Sequence, residues 1–79
     1  MAMLPADEDY AMGLLTLFSA HALRPGMSLS ARDAIREFVS NNLGRAYDYH
    51  AAVAYSEGRG WLRCEFDRLR LTGGGFAEM

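Results

Sequence analysis

GWLRCEFDRLRLTGGGF, residues 60–76, alternates apolar and charged side chains in two short runs on either side of Phe66-Asp67. A period of two puts Leu62 and Cys64 on one face of a first strand and Leu69 and Leu71 on one face of a second. With Phe66-Asp67 as a two-residue turn, Leu62 lies opposite Leu71 and Cys64 opposite Leu69. Arg63 then lies opposite Arg70, and Glu65 opposite Arg68, on the other face of a hairpin over about 61–72. Phe-Asp lacks the Asn-Gly or Asp-Gly signature of such turns, so a four-residue loop is the alternative. The alternation makes Cys64 an inward, small core residue. Thr72 is placed to cap a turn through Gly73–Gly75, with Phe76 folded back onto the core.

Upstream, the pattern changes from strand to helix. Asp48 is the best N-cap for a helix over about 47–58, starting somewhere between Arg45 and Asp48. Tyr49, Ala52, Val53 and Ser56 fall on one stripe, and Gly58 or Gly60 ends it. Before that, Ser30 with Asp33 three residues on resembles a capping box and opens a helix over about 30–42. Ile35, Phe38, Val39 and Leu43 supply its buried face, and Gly44 is a left-handed C-cap. A first helix over about 7–23 follows Pro5, with Asp7 as N-cap and Asp7, Glu8 and Asp9 at the positive end of its dipole. Tyr10, Leu14, Leu17, Phe18 and His21 follow helical spacing, and Arg24-Pro25-Gly26 stops it. Met27-Ser28-Leu29 reads as an extended connection. Leu14 and Leu15 point to different sides of the first helix, which predicts a second buried face and a homodimer formed through it.

The 79 residues form one domain, 1–79, of α+β class, mainly α: three helices followed by a two-stranded hairpin. A chain this short buries only a little over ~60% of its unfolded surface, so its core is small. The formal net charge is −2 and the pI about 5.5, which weighs against coating nucleic acid or membrane by charge alone. Cys64 is the single cysteine and makes no internal disulfide, as expected in a reducing cytoplasm. The acidic start MAMLPADEDY is unlike a signal peptide, and no apolar run approaches the ~20 residues that span a bilayer.

Three helices and a hairpin, with a tight turn between the second and third, resemble the winged helix-turn-helix family from about residue 8 onward. The carrying residues are Tyr49-His50-Ala51-Ala52-Val53-Ala54-Tyr55, then Gly60-Trp61-Leu62, then Leu69-Arg70-Leu71-Thr72 with Gly75 and Phe76. In that family a recognition helix often ends in glycine, and an apolar pair opens the wing. The second wing strand often closes with leucine, threonine and a glycine two residues later. Here Gly74 or Gly75 takes that place, a one-residue departure. The resemblance implies a DNA-binding transcriptional regulator, with Arg45, Tyr47 and His50 approaching the major groove. Arg63, Arg68 and Arg70, with Arg59 nearby, would hold phosphates.

Each of these residues also has a structural reading. The hairpin arginines protect the edge of a small sheet, and Arg68 pairs with Glu65. Base edges are best read by Arg, Lys, Asn or Gln, and of the outward residues of the third helix only Arg45 is one of these. Tyr47 and His50 suit a protein interface equally well. The alternative is therefore a protein–protein interaction module on the same scaffold. His21 and His50 are isolated from any ligand spacing, so no metal site is expected. Cys64 has no base partner, and the triple glycine lacks the lysine of a phosphate loop. Neither an enzyme nor a cofactor is expected.

Overall fold

The computed structural model describes residues 6–79. Its elements are α1 (Asp7–Ala20), β1 (Ser28–Ser30), α2 (Ala31–Ser40), α3 (Ala46–Gly58), β2 (Leu62–Glu65), β3 (Arg68–Leu71) and α4 (Gly73–Glu78). The chain is α+β, mainly helical, with one three-stranded antiparallel sheet in the order β1-β3-β2. No helix among the described residues is long and apolar enough to cross a membrane.

The N-cap of α1 is Ala6 rather than Asp7. Capping comes from Asp9, whose carboxylate accepts the Ala6 N–H at 3.0 Å, half of a capping box. The start signal at Pro5 lies outside the described residues. The helix ends at Ala20, three residues before the expected 23. Ala22 takes φ 55°, and the Leu23 N–H closes on the Phe18 carbonyl at 3.1 Å, a Schellman arrangement without glycine. Arg24-Pro25-Gly26 is thus the turn into β1, not the stop. Leu14 and Leu15 are both buried within the chain, while Met12 on the same helix is partly exposed.

The extended connection expected at 27–29 overlaps a strand at Ser28–Ser30. Ser28 pairs with Arg70, Leu29 with Leu69 and Ser30 with Arg68. Ser30 then caps α2, its hydroxyl accepting the Asp33 N–H at 3.4 Å. Asp33 does not return the bond; its carboxylate takes the Arg36 guanidinium at 2.7 Å. The left-handed residue after α2 is Asn42, φ 57°, not Gly44. Gly44 has a different reason to be glycine: a Cβ there would lie 2.8 Å from Phe38 Cε1, 2.9 Å from Asp48 Cβ and 3.1 Å from Tyr10 Cδ1. It marks where the α2–α3 turn presses onto the start of α1.

Arg45 is the N-cap of α3, and Asp48, expected in that place, sits three residues on and accepts the Arg45 N–H at 2.9 Å. The helix runs to Gly58, and of the two glycines expected to end it Gly60 takes the left-handed position beyond the cap, φ 76°, with the Trp61 N–H on the Ser56 carbonyl at 2.8 Å. Tyr49, Ala52 and Ser56 are buried and Val53 partly so. The small side chains let α3 lie close along α1. Phe38 meets the Tyr49 ring edge-on at 5.8 Å.

All four cross-strand pairs of the β2–β3 hairpin take the expected register, with the turn at Phe66-Asp67. Cys64, however, is exposed. It shares a face with Leu62 and with its buried partner Leu69, but β3 is the central strand and β2 an edge, so Cys64 lies at the rim of the core. Nor is Gly73–Gly75 a simple turn. It is the first turn of α4, although three glycines disfavour helix. Thr72 makes it possible: its hydroxyl accepts the Gly75 N–H at 3.1 Å and donates toward the Gly60 and Trp61 carbonyls, 2.5 and 2.9 Å away. Any Cβ on Gly75 would overlap the Trp61 carbonyl. Phe76 lies on the outer side of α4, 43% exposed, and does not return to the core.

The Ser56 hydroxyl is fully buried with no hydrogen-bond partner among the described residues. Replacing it with Ala is expected to raise stability by about 1 kcal/mol, because a desolvated unpaired group is removed. Gly75→Ala is expected to lower stability by about 2 kcal/mol or more through overpacking on Trp61. Urea denaturation of the two variants checks both signs.

Candidate functional site

The residues expected to bind fall on two neighbouring elements, the outward side of α3 and the outer face of the hairpin. On α3, Tyr47 is 84% exposed and His50 is exposed one turn later. A spacing of three puts them side by side, with exposed Ala54 on the next turn. The His50 ring stands edge-on to Tyr49, 5.3 Å between centroids. Tyr49 is buried, and its hydroxyl donates to the Ala31 carbonyl at 3.4 Å. Burial pushes the Tyr49 phenol up to about 12, with a smaller contribution from Cys64. Tyr55 packs edge-on against Trp61 at 5.7 Å. Two of the three tyrosines of α3 therefore serve the interior, and Tyr47 alone stands fully outward.

Arg45 precedes α3 and is exposed; its backbone N–H is held by Asp48. Arg59 closes the other end, its guanidinium 5.8 Å from the centre of the Trp61 ring, a cation–π contact that ties it to the junction of helix and hairpin. Arg45 and Arg59 thus stand at opposite ends of α3.

The outer face of the sheet carries Arg63, Glu65, Arg68 and Arg70, but the ion pairing differs from the expectation. Glu65 is bound by Arg70, Nε to Oε1 at 2.8 Å and Nη2 to Oε2 at 3.3 Å, on the diagonal rather than by Arg68 directly opposite. Arg68 turns the other way, to β1: Nε donates to Ser28 Oγ at 2.7 Å and Nη2 to the Ser28 carbonyl at 3.3 Å. The remaining nitrogen of Arg70 donates to the Gly26 carbonyl. The Arg70 hydrogen bond holds the Glu65 carboxyl below its usual range, helped by the charges of Arg70 and Arg63.

Three arginines on one face are therefore not equivalent. Every guanidinium nitrogen of Arg70 is engaged within the protein. Arg68 has no partner for Nη1 among the described residues, while its other nitrogens orient the fork. Arg63 is exposed and makes no ion pair among the described residues. Ser28, which sets the direction of Arg68, was missed in the sequence because β1 is too short to show alternation. Phe66 at the hairpin tip was missed as well, being read only as a poor turn residue. A large apolar side chain where such turns take Asn, Asp or Gly was the available signal.

Cys64 lies against Glu57. Partial burial pushes its thiol up, and the charge of Glu57 and a hydrogen bond to it act in the same direction. That is the reverse of what activates a nucleophilic cysteine. His21 is bonded to Glu37 at 2.8 Å on the α1–α2 side, apart from His50, and no group of three metal-ligating side chains occurs among the described residues. A shallow groove of about 150 Å³ between α1 and α4 is lined by Met12, Leu15, Thr16, Ser19, Glu78 and Met79.

No protein-family model, curated protein or solved structure matches this chain.

Removing the Glu57 charge is expected to lower the Cys64 pKa and raise its thiolate fraction at pH 8. Glu57→Gln should therefore be alkylated by iodoacetamide faster than the parent. Equal rates would mean that Glu57 does not act on the thiol.

Proposed function

We propose that this chain is a winged helix-turn-helix DNA-binding domain with a role in transcription regulation. The observation that carries the reading is one of arrangement. Helix α2, a five-residue turn at 41–45 and helix α3 lead through Gly60 directly into an arginine-bearing hairpin, whose second strand pairs with β1. In this reading α3 is the recognition helix, its Tyr47 and His50 toward the major groove with Arg45 at its start. The hairpin is the wing. Arg63 and the free nitrogen of Arg68 are its phosphate donors, Arg59 supports them from the helix end, and Arg70 serves to shape the wing. The small number of free cations favours weak, strongly salt-dependent binding, with few residues that read base edges.

A second reading is a protein-interaction module on the same scaffold. It is favoured by the strip of Tyr47, His50 and Ala54, aromatic and small rather than basic, and by the internal engagement of Arg70.

The two readings diverge in a salt titration. Fluorescence anisotropy with a random duplex is expected to give a dissociation constant on the order of 10⁻⁵ M at low salt, weakening steeply as salt rises. Arg63→Ala should reduce the slope of log affinity against log salt by about 0.9, the contribution of one phosphate contact. An absence of salt-dependent binding would remove the DNA reading and leave the interaction module.

A further inference from the structure

Phe66 breaks two local rules at once. Its φ of 58° lies in the left-handed region, where a bulky aromatic residue is an outlier and where hairpin turns place Asn, Asp or Gly. Its ring is 106% exposed, so it is covered by nothing among the described residues, although burying an aromatic ring is among the larger gains open to a small protein. Neither the turn nor the core accounts for it, and backbone departures of this kind collect at binding sites. The surroundings indicate what it meets. Glu65 beside it is bound by Arg70, which leaves Asp67 as the acid at the tip, while Arg63 and Arg68 stand exposed on the two strands behind it.

We propose that Phe66 is a wedge that enters a base step of duplex DNA from the minor groove, with Arg63 and Arg68 on the phosphates to either side. The proposal rests on the DNA reading above and adds its ligand class. An apolar wedge must unstack two base pairs, and unstacking is easiest at flexible pyrimidine–purine steps such as TA. The preferred ligand is therefore a duplex with TA steps. Arginine insertion alone favours the opposite, a stiff A-tract with a narrow minor groove. Asp67 opposes phosphate and keeps the affinity low.

The test compares two end-labelled duplexes of equal length and base composition, one with central TA steps and one with A-tracts, by anisotropy and by energy transfer between the ends. The parent protein is expected to prefer the TA duplex by about tenfold, the order of a single base-step discrimination, and to shorten its end-to-end distance. Phe66→Gly, which suits the left-handed turn, should melt at a higher temperature than the parent. It should retain salt-dependent binding but lose both the preference and the bend, whereas Phe66→Leu retains part of each. Asp67→Asn should bind both duplexes more tightly. Salt-dependent binding by the parent with no step preference, or with a preference for the A-tract, overturns the wedge and leaves the DNA reading standing. A Phe66→Gly variant that keeps the preference and the bend overturns it too. Binding to neither duplex at low salt overturns both readings.

Discussion

The junction of Gly60-Trp61 with Thr72 is the constraint on which the rest of this protein depends. Here the link between Gly58 and Leu62 joins α3 to the hairpin and, from the other strand, Thr72 joins the hairpin to α4. The Trp61 N–H is held by Ser56 of α3, and the Trp61 carbonyl accepts the Thr72 N–H at 3.1 Å. The Thr72 hydroxyl donates toward the same carbonyl pair and accepts from Gly75. Gly75 can approach that closely because it has no Cβ. Local hydrogen bonds thus fix the angle between α3 and the hairpin, and the buried Trp61 ring, flanked by Tyr55 and Arg59, fills the space beneath.

That angle sets how the hairpin stands on α3: the hairpin face with Leu62 and Cys64 lies toward the helix, where Cys64 meets Glu57, and the face with the arginines is turned away from it. The core then completes the frame, with Leu14, Leu15 and Phe18 of α1 in one buried cluster with Tyr49 and Ala52 of α3. The unpaired Ser56 hydroxyl fits this view. A small residue is needed where the helices approach, and the helix end it supports uses its carbonyl rather than its side chain.

Charge on the outer face is organised by the sheet rather than by the count of arginines. The strands set which guanidinium meets which partner. Arg70 is placed between Glu65 and the Gly26 carbonyl, and Arg68 between β3 and Ser28 of β1. An acidic protein with eight arginines and no lysine thereby shows only part of its positive charge outward. The planar fork of arginine suits this double use, since nitrogens bonded internally orient those left over.

Much of this fold was legible in the sequence. The four-pair hairpin register followed from period-two alternation around Phe66-Asp67. The cap at Ser30 and a helix stop at Gly58 or Gly60 followed from residue chemistry that acts within four residues. The buried stripe of α3 followed from helical spacing. What tertiary structure decided depended on contacts distant in sequence. Strand β1 exists because β3 lies beside it, not because three residues favour a strand. Helix α4 exists because Thr72 and the Trp61 carbonyl hold three glycines in place. Cys64 is exposed because β2 is an edge strand, although its partner Leu69 on the central strand is buried, and Phe76 is exposed because the segment after Thr72 is a helix rather than a turn back to the core. For the same reason the candidate site was only half visible. Its residue types and elements could be read from the chain. Which arginines remain free could not, because that is set by Ser28, Gly26 and Glu65, partners brought together only when the sheet forms.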